Sequence, residues 1–324
     1  MSPASSAEPP VPTAADAEAG PAPASPAVHA MDLRKQYRRT VALAGLSMTV
    51  QRGEVFGFLG PNGAGKTTAV KILLGLVRPT GGDAMALGAP AGDREARKQI
   101  GYLPELFRFQ AWLTAREVLV LHARLLRLPR PRWAPAAAAA LAAVGLDGRG
   151  DDKVGTFSKG MQQRLGLGVA LLGEPALVIL DEPTSALDPV GRHQVRLIIR
   201  DLRERGTAVF LNTHLLAEAE QVCDRVTVIS KGRALATGPP AELRRARPVV
   251  RFRVSGLAPG WWQPFANGAR WKDEGGDWLL AEELDPARIP DVVAGAVALG
   301  GRVEAVVPEQ QSLEASFLEL LGER

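Results

Sequence analysis

The 324-residue chain has a single cysteine, Cys223, which leaves no partner for a disulfide and no set of thiolates for a metal cluster. A reduced, cytosolic setting fits that scarcity. Nor is there a run of about 18 apolar residues, the length a spanning helix needs. Residues 1–27 carry only acidic charges and no apolar stretch, so they do not read as a secretory signal. Large charge asymmetry is absent too. Lys and Arg number 39 against 35 Asp and Glu, a net charge of +4 that argues for no nucleic-acid partner. Such a chain is expected to reach a membrane only through another protein.

What is present is an ordinary globular composition, 46% hydrophobic and 23% charged, in a length that allows about two domains. Residues 1–27 differ: rich in Ala, Pro and Ser and without an aromatic, they cannot bury enough surface to offset ordering, and a disordered tail is expected. Residues 41–50 and 54–59 read as strands, followed by a glycine-rich loop and a helix over 66–77. Helices are expected over 114–126, where Thr114 and Glu117 have capping-box spacing, over the alanine-rich 131–144, and over 158–172. Then strands (177–181, 208–212, 226–230) alternate with helices (189–205, 215–223), which argues for an α/β fold with a mostly parallel sheet. Its strands are apolar runs, as expected when both faces are covered. After residue 247 the style changes. Strands over 249–254, 277–281 and 302–307, with helices over 286–299 and 312–321, predict a small α+β domain over 248–324.

The string Gly60-Pro61-Asn62-Gly63-Ala64-Gly65-Lys66-Thr67, with Thr68 after it, matches G-x-x-x-x-G-K-[ST] between a strand and a helix. Glycines let backbone N–H groups curl around an anion, and the helix offers its positive end. Lys66 would neutralise the β- and γ-phosphates, and the Thr67 hydroxyl would ligate Mg²⁺. The second signal is Leu177-Val178-Ile179-Leu180-Asp181-Glu182, which places two carboxylates at the C-terminal end of a buried strand, where open α/β sheets bind ligands. Asp181 would hold the metal shell, and Glu182 would polarise the attacking water. Together these motifs define a phosphate-loop NTPase.

The stretches between and after them resemble the ABC ATPases. Phe157-Ser158-Lys159-Gly160-Met161-Gln162-Gln163-Arg164 resembles that family's signature, whose commonest form is Leu-Ser-Gly-Gly-Gln; here Lys159 and Met161 replace a glycine and a glutamine. This variant is similar to that of ATPases serving drug, sodium or polysaccharide exporters. Ser158 at a helix start supplies a hydroxyl and free N–H groups to an anion; the resemblance implies the γ-phosphate held by a partner subunit. Gly101-Tyr102-Leu103-Pro104-Glu105 resembles the Q-loop, with Glu105 where most relatives have glutamine, a carboxylate that could still approach Mg²⁺. Ser185-Ala186-Leu187-Asp188 resembles the D-loop, His214 the switch histidine that contacts the γ-phosphate, and Tyr37 the aromatic that stacks on adenine. The ending over 312–321 resembles the closing helix of exporter ATPases with a small C-terminal domain, and is equally well an amphipathic surface helix.

The resemblance implies an ABC-type P-loop NTPase over 28–247, with an antiparallel β subdomain and a helical subdomain at about 106–156. It implies an ATPase using ATP and Mg²⁺, dimeric with ATP at the interface between the phosphate loop of one chain and Ser158 and Gly160 of the other. ATP would favour the closed dimer and hydrolysis would release it. The expected partner is a membrane-spanning permease subunit contacted by the helical subdomain, at the cytoplasmic face of the membrane. The alternative is a soluble ABC ATPase acting on ribosomes or DNA. Translation-type members usually carry two cassettes, and chromosome-type members need long heptad insertions where this chain has only about 90 residues. A phosphate-loop kinase or GTPase gives Ser158, Gly160 and His214 no reason to coexist.

Overall fold

The computed structural model describes residues 25–185, 187–243, 249–266, 268–309 and 317. Residues 1–24 of the tail expected over 1–27, Ala186, and all of the expected closing helix except Phe317 lie outside them. Ala27, assigned to the tail by composition, is fully buried, and its carbonyl accepts a hydrogen bond from Leu87 N–H at 2.8 Å. The packed chain therefore starts earlier than the change in composition suggests.

A central sheet of order β10-β9-β3-β8-β7-β6 carries the site. β3 (Val55–Leu59), β6 (Ile100–Leu103), β7 (Leu177–Asp181), β8 (Ala208–Thr213) and β9 (Arg225–Ser230) are parallel, and β10 (Arg233–Gly238) is an antiparallel edge. Every residue of β3, β7 and β8 is buried. The two-residue period of a strand sends alternate side chains into separate cores. Val178, Leu180, Val209 and Leu211 join one core; Leu177, Ile179, Ala208 and Phe210 join the other.

Helices α3 (Ala115–Leu125), α4 (Trp133–Ala143) and α5 (Lys159–Leu171) contribute to the first core. α6 (Pro189–Glu204) and α7 (Leu216–Val222) pack into the same core. The capping box closes as expected: Glu117 N–H donates to the Thr114 hydroxyl at 3.1 Å, and Thr114 N–H donates to the Glu117 carboxylate at 2.8 Å. The second core is shared by α1 (Lys66–Leu73) and an antiparallel sheet of order β2-β1-β4-β5, formed by β1 (Val28–Tyr37), β2 (Thr40–Val50), β4 (Gly81–Ala86) and β5 (Ala89–Pro90). α1 ends at Leu73 rather than near residue 77. Gly75 takes a left-handed φ of +68°, and Leu76 N–H folds back onto the Lys71 carbonyl at 2.8 Å, a glycine-terminated helix end. Short helices α2 (Arg94–Arg97) and α8 (Pro240–Leu243) complete this part.

Residues from 249 onward form a third sheet, β12-β13-β11-β14, from β11 (Val249–Ser255), β12 (Arg270–Gly275), β13 (Trp278–Glu282) and β14 (Arg302–Glu309), with α9 (Ile289–Ala298) packed on one face. Its core holds Val250, Phe252, Leu279, Ala281, Val292 and Ala296. On β11, Arg251 and Arg253 alternate with that apolar set and pair with Glu274 and Glu304 at 3.2 and 3.1 Å. Phe317 packs against the first core, not the third. No helix among the described residues is long and apolar enough to cross a membrane.

Candidate nucleotide-binding site

The loop from Gly60 to Gly65 is shaped by close backbone approaches. A Cβ on Gly60 would lie 2.4 Å from the Ile229 carbonyl of β9, and one on Gly65 would lie 2.4 Å from the Ala42 carbonyl of β2. Gly65 also has a φ of +108° and caps α1. Gly65→Ala therefore combines a steric clash with a disfavoured backbone. It is expected to lower the melting temperature by several degrees and to weaken nucleotide binding at least tenfold, measured by thermal denaturation and calorimetry. Behind the lining, Ala64 is buried and its carbonyl accepts from Gly232 N–H at 2.8 Å.

Lys66, the first residue of α1, is buried, and its ammonium donates to the Gly60 carbonyl at 2.5 Å and the Pro61 carbonyl at 3.3 Å. Burial pulls its pKa below the usual lysine value, while the charges of Glu182, Asp181 and Glu105 oppose the shift. A cleft of about 320 Å³ opens here, lined by Pro61, Asn62, Gly63, Gly65, Lys66, Thr67 and Thr68 on one side. Glu105, Asp181, Glu182, Ser185, Asn212 and His214 close the other side, and Thr40, Val41 and Ala42 form its rim.

Asp181 ends β7 directly across from Asn212 on β8, whose amide donates to the carboxylate at 2.5 Å. Burial raises the Asp181 pKa, and the Asn212 hydrogen bond partly offsets it. Glu182 follows with a φ of +51°, held by its N–H donating to the Asn212 carbonyl at 2.9 Å. Its Oε1 lies 2.8 Å from His214 Nδ1, and its Oε2 is buried without a hydrogen-bond partner among the described residues. One lone pair set is thus fastened and the other is unengaged, the arrangement a group needs in order to accept a proton-bearing ligand. Asn212 was not singled out by motif. Its signal is a polar residue in an apolar strand, and only strand register shows that it faces Asp181.

Thr67, Asp181 and Glu105 line the same cleft. One hydroxyl and two carboxylates suit a hard cation that keeps other oxygen ligands, such as phosphate. No group of three or more His, Cys, Asp or Glu able to hold a metal ion by itself occurs among the described residues. A metal here would depend on ligand oxygens, as magnesium in nucleotide sites does.

Five predicted residues are not part of the cleft lining: Gly60 and Ala64, which lie within the loop itself, and Tyr37, Ser158 and Gly160, which lie away from it. Tyr37 is exposed, pairs with Thr40 of the rim across the hairpin, and carries the Lys35 ammonium 5.0 Å from its ring centroid. Ser158 caps α5 by accepting from Met161 N–H at 3.2 Å and is exposed. Gly160 abuts Leu187, whose Cδ2 would lie 3.3 Å from an added Cβ. Within one chain, Ser158 and Gly160 do not reach the phosphate loop's cleft.

A glycine loop feeding a helix start, faced by a carboxylate pair at the end of a parallel strand, defines a phosphate-loop nucleoside triphosphatase. Residues 43–185 match the family described as ABC transporter. An uncharacterised ABC transporter ATP-binding protein of Nostoc is 38% identical over 301 residues, 89% of this chain and 87% of its own length. The Nod factor export ATP-binding protein I of Rhizobium sp. (strain N33) is 39% identical over 302 residues, 91% of this chain and 97% of its own length. Among solved structures, an ATP-binding subunit of an ABC transporter aligns with a TM-score of 0.62 at 33% identity, covering 67% of this chain and 92% of that one. The cbiO1 protein of Clostridium perfringens, described as part of the ABC transporter complex cbiONQ, aligns at 0.61 with 27% identity, covering 68% and 90%.

The chain belongs to the ATP-binding proteins of ABC transporters, and it is an ATPase of that type. ATP-binding subunits of this family work with membrane permease components, and the soluble ribosome- or DNA-acting alternative is not favoured by these relatives.

Proposed function

We propose that this chain powers export across the cell membrane from its cytoplasmic face, as one of two identical ATPase chains bound to a separate spanning partner. The cassette would comprise 28–247 and the accessory domain 248–324. The observation that carries the hydrolytic reading is the convergence of Lys66, Asp181 and the Glu182–His214 pair in one cleft. The export reading rests on the Nod factor export relative, similar over 91% of this chain.

Each side chain then has a task. Lys66 sits with its ammonium at the mouth of the loop, where β- and γ-phosphate oxygens would replace its carbonyl partners. A magnesium ion, when bound, would screen the phosphates' charge, held by Thr67 and Asp181 with Glu105 beside them. Glu182 would accept a hydrogen bond from the attacking water through Oε2, while His214 holds Oε1. Tyr37 would stack adenine on the ring face opposite Lys35. Ser158 and the α5 N-terminus would complete the site of the second copy, since both are exposed and apart from their own chain's cleft.

The permease would dock on the helical segment 106–156, where Leu106 is 87% and Trp112 72% exposed. These two exposed apolar side chains on one segment support an interaction face there. Purification of the full chain from its native membrane is expected to bring down a membrane-spanning protein. Leu106→Asp/Trp112→Asp should cut that recovery about tenfold without changing ATP affinity. Recovery of ribosomes or DNA instead would overturn the assignment.

A further inference from the structure

Two side-chain bridges join the turn after β7 to the segment after β8. One is the Glu182–His214 contact in the cleft. The other is buried and lies outside the cleft lining: the Thr184 hydroxyl donates to Oε2 of Glu218 on α7. A buried carboxylate persists only where partners offset its lost hydration. Here Arg192 of α6 brings its guanidinium to 3.6 Å from the other Glu218 oxygen, an ion pair but not a hydrogen bond, for that oxygen is buried with no hydrogen-bond partner among the described residues. The same guanidinium donates to the Leu187 carbonyl at 3.1 Å. One carboxylate thus gathers three pieces of chain: the turn, the start of α6, and the helix that follows His214.

The turn has a reason to need fastening. Glu182 occupies a left-handed backbone conformation that non-glycine residues avoid, and such conformations last only where the surroundings fix them. Its carbonyl accepts from the Ser185 hydroxyl at 3.1 Å and its N–H donates to Asn212. The Pro183 carbonyl accepts from Gln163 of α5 at 3.1 Å. Thr184 is the residue whose side chain ties this turn to α7.

We propose that Glu218 is a positioning residue for hydrolysis: by holding the Thr184 hydroxyl, with Arg192 balancing its charge, it fixes the turn carrying Glu182 and the helix following His214 in one register. It holds the geometry of the Glu182–His214 pair without touching nucleotide. The proposal rests on that pair being the hydrolytic one.

Full-length variants test it by kcat, ATP affinity and melting temperature together. Glu218→Gln keeps an oxygen for the Thr184 hydroxyl, and kcat should stay within about threefold. Glu218→Ala and Thr184→Val remove the grip, and kcat should fall about tenfold or more with ATP affinity within about threefold. The double variant Thr184→Val/Glu218→Leu removes both ends of the buried bridge and leaves Arg192, 37% exposed, its Leu187 carbonyl and solvent, so its melting temperature should recover while kcat stays low. A merely structural role predicts that both recover together, and that result would overturn the proposal. So would wild-type kcat in folded Glu218→Ala, or an equal loss in ATP affinity. Should Glu218→Ala not fold, Thr184→Val and the double variant decide alone. Glu182→Gln is run alongside. Full turnover there would sink the hydrolytic pair itself, whereas its loss beside normal turnover in Thr184→Val would sink the positioning role alone.

Discussion

Glu182→Gln is expected to lower steady-state ATP turnover by about 10²–10³-fold and to leave ATP affinity within about threefold. The amide has the shape of the carboxylate, so the left-handed backbone at Glu182 and its N–H bond to the Asn212 carbonyl have no reason to change. Its oxygen can still accept from His214 where Oε1 now sits. The NH₂ group then takes the place of Oε2, which is buried and has no hydrogen-bond partner among the described residues. On the proposed role of Glu182, the acceptor for the attacking water becomes a donor, and the water loses the group that would take its proton. Lys66 and the glycine loop are untouched, so binding remains. With turnover blocked, ATP should hold two chains together, visible as a dimer on size exclusion that reverts when nucleotide is removed. Single-turnover hydrolysis at the wild-type rate would assign the activation of water to another residue.

How much of this was legible in the sequence follows from what each element needs. β7 and β8 are runs of apolar residues, because both faces are covered, and such runs announce themselves. The capping box at Thr114 is local chemistry and reads the same in sequence and structure. β1 was not foreseen, because its burial alternates imperfectly through register shifts against β2 and β4. β4, Gly-Gly-Asp-Ala-Met-Ala, is half-exposed and has no apolar signature. β10 is an exposed edge, and β6 has only four residues. Within the site, the loop and the two carboxylates follow from spacing alone. Asn212, the Thr184–Glu218 bridge and the rim at Thr40 depend on strand register and on the approach of distant segments, which no local pattern encodes.

The separation of Ser158 from the cleft within one chain also sets the terms for a test of the dimer. Lys66→Ala should weaken ATP binding about 10²-fold or more, measured calorimetrically with Mg²⁺, because the buried ammonium is the cation of the cleft nearest the loop carbonyls. Alanine also leaves the carboxylates of Asp181, Glu182 and Glu105 without that ammonium, so the cleft becomes more repulsive to a polyphosphate. Near-normal affinity would undo the phosphate-loop assignment. Ser158→Arg, in contrast, should leave binding to the isolated chain intact, since Ser158 is exposed and only caps α5. It should abolish turnover by blocking the seam. Each variant alone then has two defective sites. In a mixed dimer the two lesions fall in one site, between the altered loop of one chain and the altered Ser158 position of the other. The second site retains Lys66 and Ser158, and the mixture should recover up to half of the wild-type activity per mixed dimer. Turnover of the wild-type protein should also rise more steeply than linearly with concentration while dimers are scarce. A mixture in which mixed dimers form but activity stays at the parental level means strict coupling of the two sites or a site complete within one chain. ATP-dependent dimerisation of the wild-type chain separates these, because a site complete within one chain gives ATP no reason to join two.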